Sequence, residues 1–268
     1  MEKLIVLGTA AGISNNCYGL SALLEDNAGN YVLIDTGSGN QLLNHLKEKC
    51  IDINRIHNIF ISHKHIDHLL GLIPLLRYIF QQYGKNNYDG CVNVYCAHEI
   101  KDIIDSFVSA TFHKVHADLY SKIVKFYFCE DKKMFTILEY EFETIDVVSV
   151  EGGQYGFKTT LNSGKTLAFL GDVPCSKYVY PRIENLDWVL HEAMCLEKDK
   201  EKIKPHEKHH STVKDVALAM SGLNIRNLVL WHCIDEDMKM RKELFAKEAK
   251  EHFSGNIYVP NDLDEIEL

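Results

Sequence analysis

The sequence predicts an α/β (α+β) fold in which β-sheets are covered by α-helices, in an αββα-type layering. Short runs of β-branched or alternating apolar residues recur along the whole chain, as expected for strands. Segments with apolar residues at helical spacing lie between these runs. The chain opens with strand-rich segments and later alternates strand with helix, and this order places helices over sheets.

The predicted elements follow from these two periodicities. Strands are predicted at residues 3–7, 20–24, 31–34, 58–61, 92–96, 124–129, 142–150, 156–160, 167–170, 188–191, 227–231 and 256–259. Helices are predicted at residues 40–48, 69–81, 98–108, 213–221 and 238–252. No linker rich in proline, glycine or serine divides the chain, so we expect one domain over residues 1–268. The charged stretch 197–210 is predicted to be a loop.

Composition and charge restrict the classes of protein to which the chain can belong. A formal net charge of −9 argues against a broad basic surface for nucleic acid. The apolar start is too short for a signal peptide, and we expect no membrane span. Eight scattered cysteines without a C-x-x-C pair are expected to be reduced, which predicts a cytoplasmic protein.

The strongest chemical signal is a cluster of ligand-type residues directly after the apolar run 59–61. It comprises His63, His65, Asp67 and His68. Imidazole nitrogen and carboxylate oxygen suit zinc and its first-row neighbours. Without a metal, crowding these groups into six residues would be costly, because each buried imidazole would need its own hydrogen-bond partner. A solvated histidine cluster is the alternative interpretation.

Three later predicted strands also end in ligand-type residues. Asp172 follows Gly171 after one strand, His191 and Glu192 end the next, and His232 ends a third. Each signal is weak alone, because an aspartate after glycine is commonly a turn residue and a strand-end histidine commonly has a structural partner. Together they indicate that distant strand ends supply one shared site.

The order of these motifs resembles the metallo-β-lactamase superfamily. The resemblance covers almost the whole chain and implies a sandwich of two mixed sheets covered by helices. It also implies two divalent metal ions, either zinc or, as alternatives, manganese or iron. The implied ligands are His63, His65, Asp67, His68, Asp172 and His232. Asp35, in a segment similar to the superfamily's opening strands, would orient the histidine loop, with a structural turn aspartate as the alternative.

Within the superfamily, the chain looks most like the ribonuclease Z-like group. Residues 191–193 and 210–212 resemble that group's paired His-Glu-Ala-Thr and His-Ser-Thr segments, although Met194 replaces the threonine. The resemblance implies that His210 donates a proton to the leaving group and that Glu192 holds it in place, while His209 is the competing histidine. Asp67 is predicted to be catalytic together with His210 and Glu192. The implied mechanism uses a hydroxide that bridges the two metals.

The sequence departs from the family's pattern in two ways. The superfamily normally has another histidine before a segment like 154–157, but no histidine occurs here between His116 and His191. Either one metal is held by His63, His65 and Asp172 with water, or Glu151 or another oxygen ligand takes part. The Gly/Pro-rich arm with which ribonuclease Z enzymes clasp transfer RNA is also absent.

Three functional hypotheses follow. The first is a metal-dependent phosphodiesterase or related hydrolase that acts on a small phosphodiester or a single-stranded nucleic acid. The second is a transfer-RNA 3′-end processing endoribonuclease. The third is a non-catalytic metal-binding module with an incomplete site. No membrane partner is expected, and a homodimer is left open.

Overall fold

Two seven-stranded mixed sheets face each other, and helices cover their outer faces. The computed structural model describes residues 2–234 and 238–268. Strands are β1 (Lys3–Gly8), β2 (Ser21–Glu25), β3 (Tyr31–Ile34), β4 (Ile56–Phe60), β5 (Val92–Cys96), β6 (Val124–Phe128), β7 (Met134–Ile137), β8 (Tyr140–Asp146), β9 (Tyr155–Thr160), β10 (Thr166–Phe169), β11 (Trp188–Glu192), β12 (Asn227–Trp231), β13 (Asn256–Tyr258) and β14 (Glu265–Glu267). The predicted αββα layering is confirmed.

Helices connect the strands and supply the outer layers. They are α1 (Gln41–Glu48), α2 (Ile66–Leu69), α3 (Leu72–Tyr83), α4 (His98–Thr111), α5 (Lys114–Ile123), α6 (Tyr180–Ile183), α7 (Lys200–Ile203), α8 (Val213–Ser221) and α9 (Arg241–Lys250). Short 3₁₀ turns lie at Ile53–Arg55, Glu197–Asp199 and His206–Lys208. Every helix in the described ranges falls short of the length and hydrophobicity that a bilayer-spanning segment requires.

The two sheets have similar internal plans. Sheet one has the order β14-β1-β2-β3-β4-β5-β6, and sheet two has the order β13-β12-β11-β10-β9-β8-β7. Strands β3 to β6 are parallel in sheet one, and β10 to β13 are parallel in sheet two, whereas the remaining pairs are antiparallel. The parallel strands carry the residues of the predicted site at their carboxyl ends.

Three buried apolar clusters hold the layers together. The cluster between the sheets contains Phe60, Phe157, Phe169 and Trp231, which make edge-on ring contacts. A second cluster packs α1, α3 and α4 on sheet one, and a third packs α8 and α9 on sheet two. The central strands of each sheet are therefore buried on both faces, which explains the nearly continuous apolar sequence of β3, β10 and β12.

Some predicted boundaries were wrong. The strand predicted at 142–150 ends at Asp146, and Val148 has a left-handed backbone (φ 60°) that a strand excludes. The helix predicted at 69–81 begins only at Leu72, because the preceding one-turn helix α2 ends at Leu69 and the helix is interrupted near Gly71. A Cβ at Gly71 would lie 1.9 Å from the Thr36 carbonyl oxygen, so only glycine fits this close approach. The loop predicted at 197–210 contains α7.

Candidate metal centre

The predicted ligands lie where parallel strands of both sheets end. Strand β4 of sheet one leads into His63 and the one-turn helix α2, which carries Asp67 and His68. Strands β10 and β12 of sheet two lead into Asp172 and His232. Because neighbouring parallel strands end at the same edge of a sheet, the topology itself gathers the residues of sheet two. The candidate centre is thus assembled from both sheets.

The first donor group consists of His63, His65 and Asp172, whose ligand atoms lie within 4.8 Å of one another. His63 Nε2 lies 3.5 Å from Asp172 Oδ2. It has no hydrogen-bond partner among the described residues, although the His63 side chain is only 5% exposed. A buried nitrogen without a partner is costly, so its position fits that of a metal ligand.

The second donor group consists of Asp67, His68 and His232. The Nε2 atoms of His68 and His232 are 3.2 Å apart, and Asp67 Oδ2 lies 3.3 Å from His232 Nε2. Asp172 Oδ2 lies 3.3 Å from His68 Nε2 and 3.5 Å from His232 Nε2. The Asp172 carboxylate is therefore adjacent to both donor groups.

These separations fit the ligand sphere of a divalent cation. Ligand bonds of about 2.1 Å at tetrahedral angles place neighbouring ligand atoms about 3.4 Å apart. The separations given above, both within the donor groups and from Asp172 to the second group, range from 3.2 Å to 3.5 Å and match this value. Imidazole nitrogen and carboxylate oxygen are also the donor types that zinc, manganese and iron accept. The residues present therefore fit the metal ions that the sequence predicted.

Burial and charge favour the ligating forms of two of these side chains. Burial opposes ionisation of Asp172, but the His63 and His68 imidazoles outweigh it and hold the pKa of this carboxyl well below its usual range. Burial lowers the pKa of the His63 imidazole well below its ordinary value. Carboxylate and neutral imidazole are the forms in which these side chains bind metals.

Asp35 supports the histidine loop from the end of β3. Its buried carboxylate accepts hydrogen bonds from the Ser62 backbone N–H and the Ser62 hydroxyl, both at 2.7 Å. Asp35 Oδ2 also lies 2.7 Å from His68 Nδ1. A hydrogen bond at Nδ1 leaves Nε2 of the same ring as the metal-binding atom. These contacts agree with the orienting role that the family resemblance implied.

Replacing Asp35 with asparagine is expected to weaken divalent-metal binding by about 10- to 100-fold, because the His68 ring loses its anionic partner. Calorimetric titration of the metal-free protein would measure the change. Asp26→Asn is the matched control, since Asp26 is also buried but bonds the backbone of Ala28 and Asn30. Wild-type affinity in Asp35→Asn would contradict the orienting role.

Gly171 and Gln154 fix the position of Asp172. Gly171 has a left-handed backbone (φ 69°), and a Cβ there would lie 2.8 Å from Gln154 Nε2. Gln154 Nε2 in turn donates a hydrogen bond to Asp172 Oδ1. In the sequence, Gln154 stands out only as part of the family-like segment 154–157. Its contact with Asp172 depends on the antiparallel pairing of β9 with β10, which the sequence does not specify.

His210 and Glu192 lie next to the second donor group. A His210 ring nitrogen lies within 4.8 Å of the ligand atoms of Asp172 and His232, and His210 Nδ1 is 3.7 Å from Glu192 Oε2. Glu192 Oε1 accepts a 2.7 Å hydrogen bond from the Ser211 backbone N–H. Burial raises the pKa of Glu192 well above its usual value. Burial, with the neighbouring His232, lowers the pKa of His210 to about 4.

The local backbone brings His210 inward and leaves His209 outside. His209 is exposed and has a left-handed backbone (φ 59°) at the end of a 3₁₀ turn. After Ser211, the chain enters α8 through a capping box in which Thr212 and Asp215 bond each other's backbone N–H groups. Between these fixed points, His210 rather than His209 reaches the metal-binding residues.

Comparison with known proteins identifies the family. A family model described as the beta-lactamase superfamily domain matches residues 30–233. The chain belongs to this superfamily. Its similarity extends over nearly the whole chain to ribonuclease Z of Macrococcus caseolyticus, which is 27% identical over 309 residues and 99% of each chain. Within the superfamily the chain is therefore similar to ribonuclease Z, as the motifs predicted.

Solved structures of superfamily proteins share the fold. The metallo-beta-lactamase fold protein YhfI from Bacillus subtilis superposes with a TM-score of 0.79 at 18% identity, covering 99% of this chain and 98% of the other. The short form of human tRNase Z superposes with a TM-score of 0.75 at 19% identity, again covering 99% and 98%. Superfamily membership implies divalent metal ions, and the donor groups fit them. The chain is a metal-dependent hydrolase, as the sequence predicted.

Proposed function

We propose that the chain is a phosphodiesterase that binds two divalent metal ions, with zinc as the first candidate and manganese or iron as alternatives. The first ion would be held by the donor group of His63, His65 and Asp172, and the second by Asp67, His68 and His232 together with Asp172. Such ions, when bound, acidify a coordinated water and neutralise charge on a phosphoryl group. The position of His210 beside this centre is the observation that carries the proposal.

His210 is proposed to protonate the leaving alkoxide. Because burial raises the pKa of Glu192 and lowers that of His210, the proton shared by this pair would reside on the Glu192 carboxyl group before substrate binds. An anionic phosphodiester bound beside His210 would raise the pKa of the imidazole and draw a proton towards it. Glu192 Oε2, 3.7 Å from His210 Nδ1, would then stabilise the imidazolium and fix its orientation. Leaving groups that are less basic than an alkoxide, such as p-nitrophenolate, need this proton less.

The proposed substrate is a small phosphodiester or a single-stranded nucleic acid. The net charge of −9 disfavours extensive contact with a folded polyanion. The alignment with the Macrococcus enzyme covers 309 positions and the chain has 268 residues, so at least 41 positions of that alignment have no residue here. This difference agrees with the missing Gly/Pro-rich arm.

Transfer-RNA 3′-end processing is the second candidate, favoured by the end-to-end similarity to ribonuclease Z. A cytoplasmic location, one domain and a homodimer stay predictions. Within residues 2–234 and 238–268 no disulfide bond links the cysteines, which fits the reduced state expected in the cytoplasm.

Hydrolysis of bis(p-nitrophenyl) phosphate tests the proposed activity. We expect turnover that is lost after chelation and restored by zinc or manganese, because the proposed reaction depends on both donor groups. Absence of turnover with every metal would contradict the proposal. A parallel assay with precursor transfer RNA separates the two candidates, since specific cleavage at the 3′ end with strongly salt-dependent binding would favour the endoribonuclease.

A further inference from the structure

The two donor groups do not have the same number of side chains. Counting the shared Asp172 carboxylate, the second ion would have four protein ligands, namely Asp67, His68, His232 and Asp172. The first would have only His63, His65 and Asp172. The unpartnered His63 Nε2, on a side chain 5% exposed, faces this incomplete position. One further donor is needed to make the two positions equivalent.

Glu151 lies beside the first donor group, next to His65. Its Oε2 atom is 3.5 Å from His65 Nε2, the same separation as that between His63 Nε2 and Asp172 Oδ2. This is close to the distance of about 3.4 Å expected between neighbouring ligands of a tetrahedral cation. The Glu151 side chain is 57% exposed, so it has room to adjust its torsion angles when an ion binds.

The segment that carries Glu151 is fixed beside the histidine loop. Its end is anchored where the Tyr155 backbone N–H donates a 3.0 Å hydrogen bond to the Ser62 carbonyl, next to His63. Lys64 Nζ lies 3.9 Å from Glu151 Oε2 and 3.5 Å from Glu99 Oε1. Gly152 and Gly153 have left-handed backbones (φ 71° and 64°), which turn the chain back towards β9 directly after Glu151.

We propose that Glu151 is the fourth protein ligand of the metal ion held by His63, His65 and Asp172. The inference rests on the metal centre of the proposed function and adds a residue to it. Each ion would then be held by two imidazoles and two carboxylates. Because carboxylate oxygen suits manganese better than imidazole nitrogen does, the first position would accept manganese readily.

Metal titration of three variants tests this assignment without using activity. Glu151→Gln removes the ligating charge, and Glu151→His offers an imidazole instead. Glu99→Gln is the matched control, because it removes a neighbouring exposed carboxylate that contacts the same Lys64. Metal-free wild-type protein and each variant are titrated calorimetrically with Zn²⁺ and with Mn²⁺, and circular dichroism verifies that all are folded.

We expect two ions per chain in the wild type and in Glu99→Gln. In Glu151→Gln, one ion should bind with unchanged affinity and the other at least about 10-fold more weakly, since even indirect support of a ligand is worth this much. Glu151→His should regain the second Zn²⁺ but not the second Mn²⁺.

Two results would overturn the assignment while leaving the centre intact. One is wild-type affinity for both ions in Glu151→Gln. The other is equal weakening in Glu151→Gln and Glu99→Gln, which would show a general charge effect. Failure of the wild-type protein to bind any ion would overturn the metal centre itself, and the proposed function with it.

Discussion

Replacing Asp172 with alanine is expected to lower phosphodiester hydrolysis by more than about 10³-fold, beyond the usual cost of losing one transition-state hydrogen-bond donor. Asp172 belongs to the first donor group and lies next to the second, with Oδ2 3.5 Å from His63 Nε2, 3.3 Å from His68 Nε2 and 3.5 Å from His232 Nε2. Its loss should therefore reduce the binding of both ions. Steady-state kinetics and metal analysis of the purified variant would measure the two effects together.

Asp131→Asn is the control for this variant. Asp131 pairs with Arg182 and accepts a hydrogen bond from the Tyr178 hydroxyl, away from the donor groups. Its replacement should leave hydrolysis and metal content unchanged. An Asp172→Ala protein that retains two ions and hydrolyses at the wild-type rate would refute the shared-ligand arrangement.

Replacing His210 with alanine is expected to lower kcat by about 10²- to 10⁴-fold for a phosphodiester with an alkoxide leaving group. The decrease should be much smaller for bis(p-nitrophenyl) phosphate, because p-nitrophenolate leaves without a proton. Metal content should not change, since His210 is proposed to act on the substrate and not as a ligand. The measurement is the ratio of kcat values for the two substrates in the wild type and the variant.

His209→Ala provides the comparison, because His209 is adjacent in sequence but exposed. It should behave like the wild type with both substrates. If His210→Ala loses metal, or loses the same activity with both leaving groups, the residue is a ligand and not a proton donor. His210 is near enough to Asp172 and His232 for this outcome to be a real alternative.

The layering and most strands could be predicted because a strand that is buried on both faces of its sheet has a nearly continuous apolar sequence. Strands β3, β5 and β12 have the predicted bounds, and each is almost continuously apolar. Strand β14 was missed because it is short and reads Glu-Ile-Glu, and its pairing with β1 joins the two ends of the chain. Helix α5 was missed because its only buried residue, Ile123, lies at its last position, so buried residues do not recur along it at helical spacing.

The ligand-type residues of the site could be predicted because histidines and aspartates that directly follow apolar runs can be recognised in the sequence itself. Their partners could not, since these depend on which strands become neighbours. The Gln154–Asp172 contact and the hydrogen bond from the Gly12 backbone N–H to Asp67 are examples. Residues 147–150 misled the prediction because Val-Val-Ser-Val has strand propensity, whereas the chain turns there and carries Glu151 to His65.

Because the donor groups draw on both sheets, occupancy of the centre is thermodynamically linked to the stability of the whole sandwich. Any sliding of one sheet over the other would separate His68 from His232, which are 3.2 Å apart across the sheets. Free ion at 100 times its dissociation constant would stabilise the folded chain by about 2.7 kcal/mol for each site. Scarcity of metal would therefore lower the free energy of unfolding of the chain as well as its rate of hydrolysis.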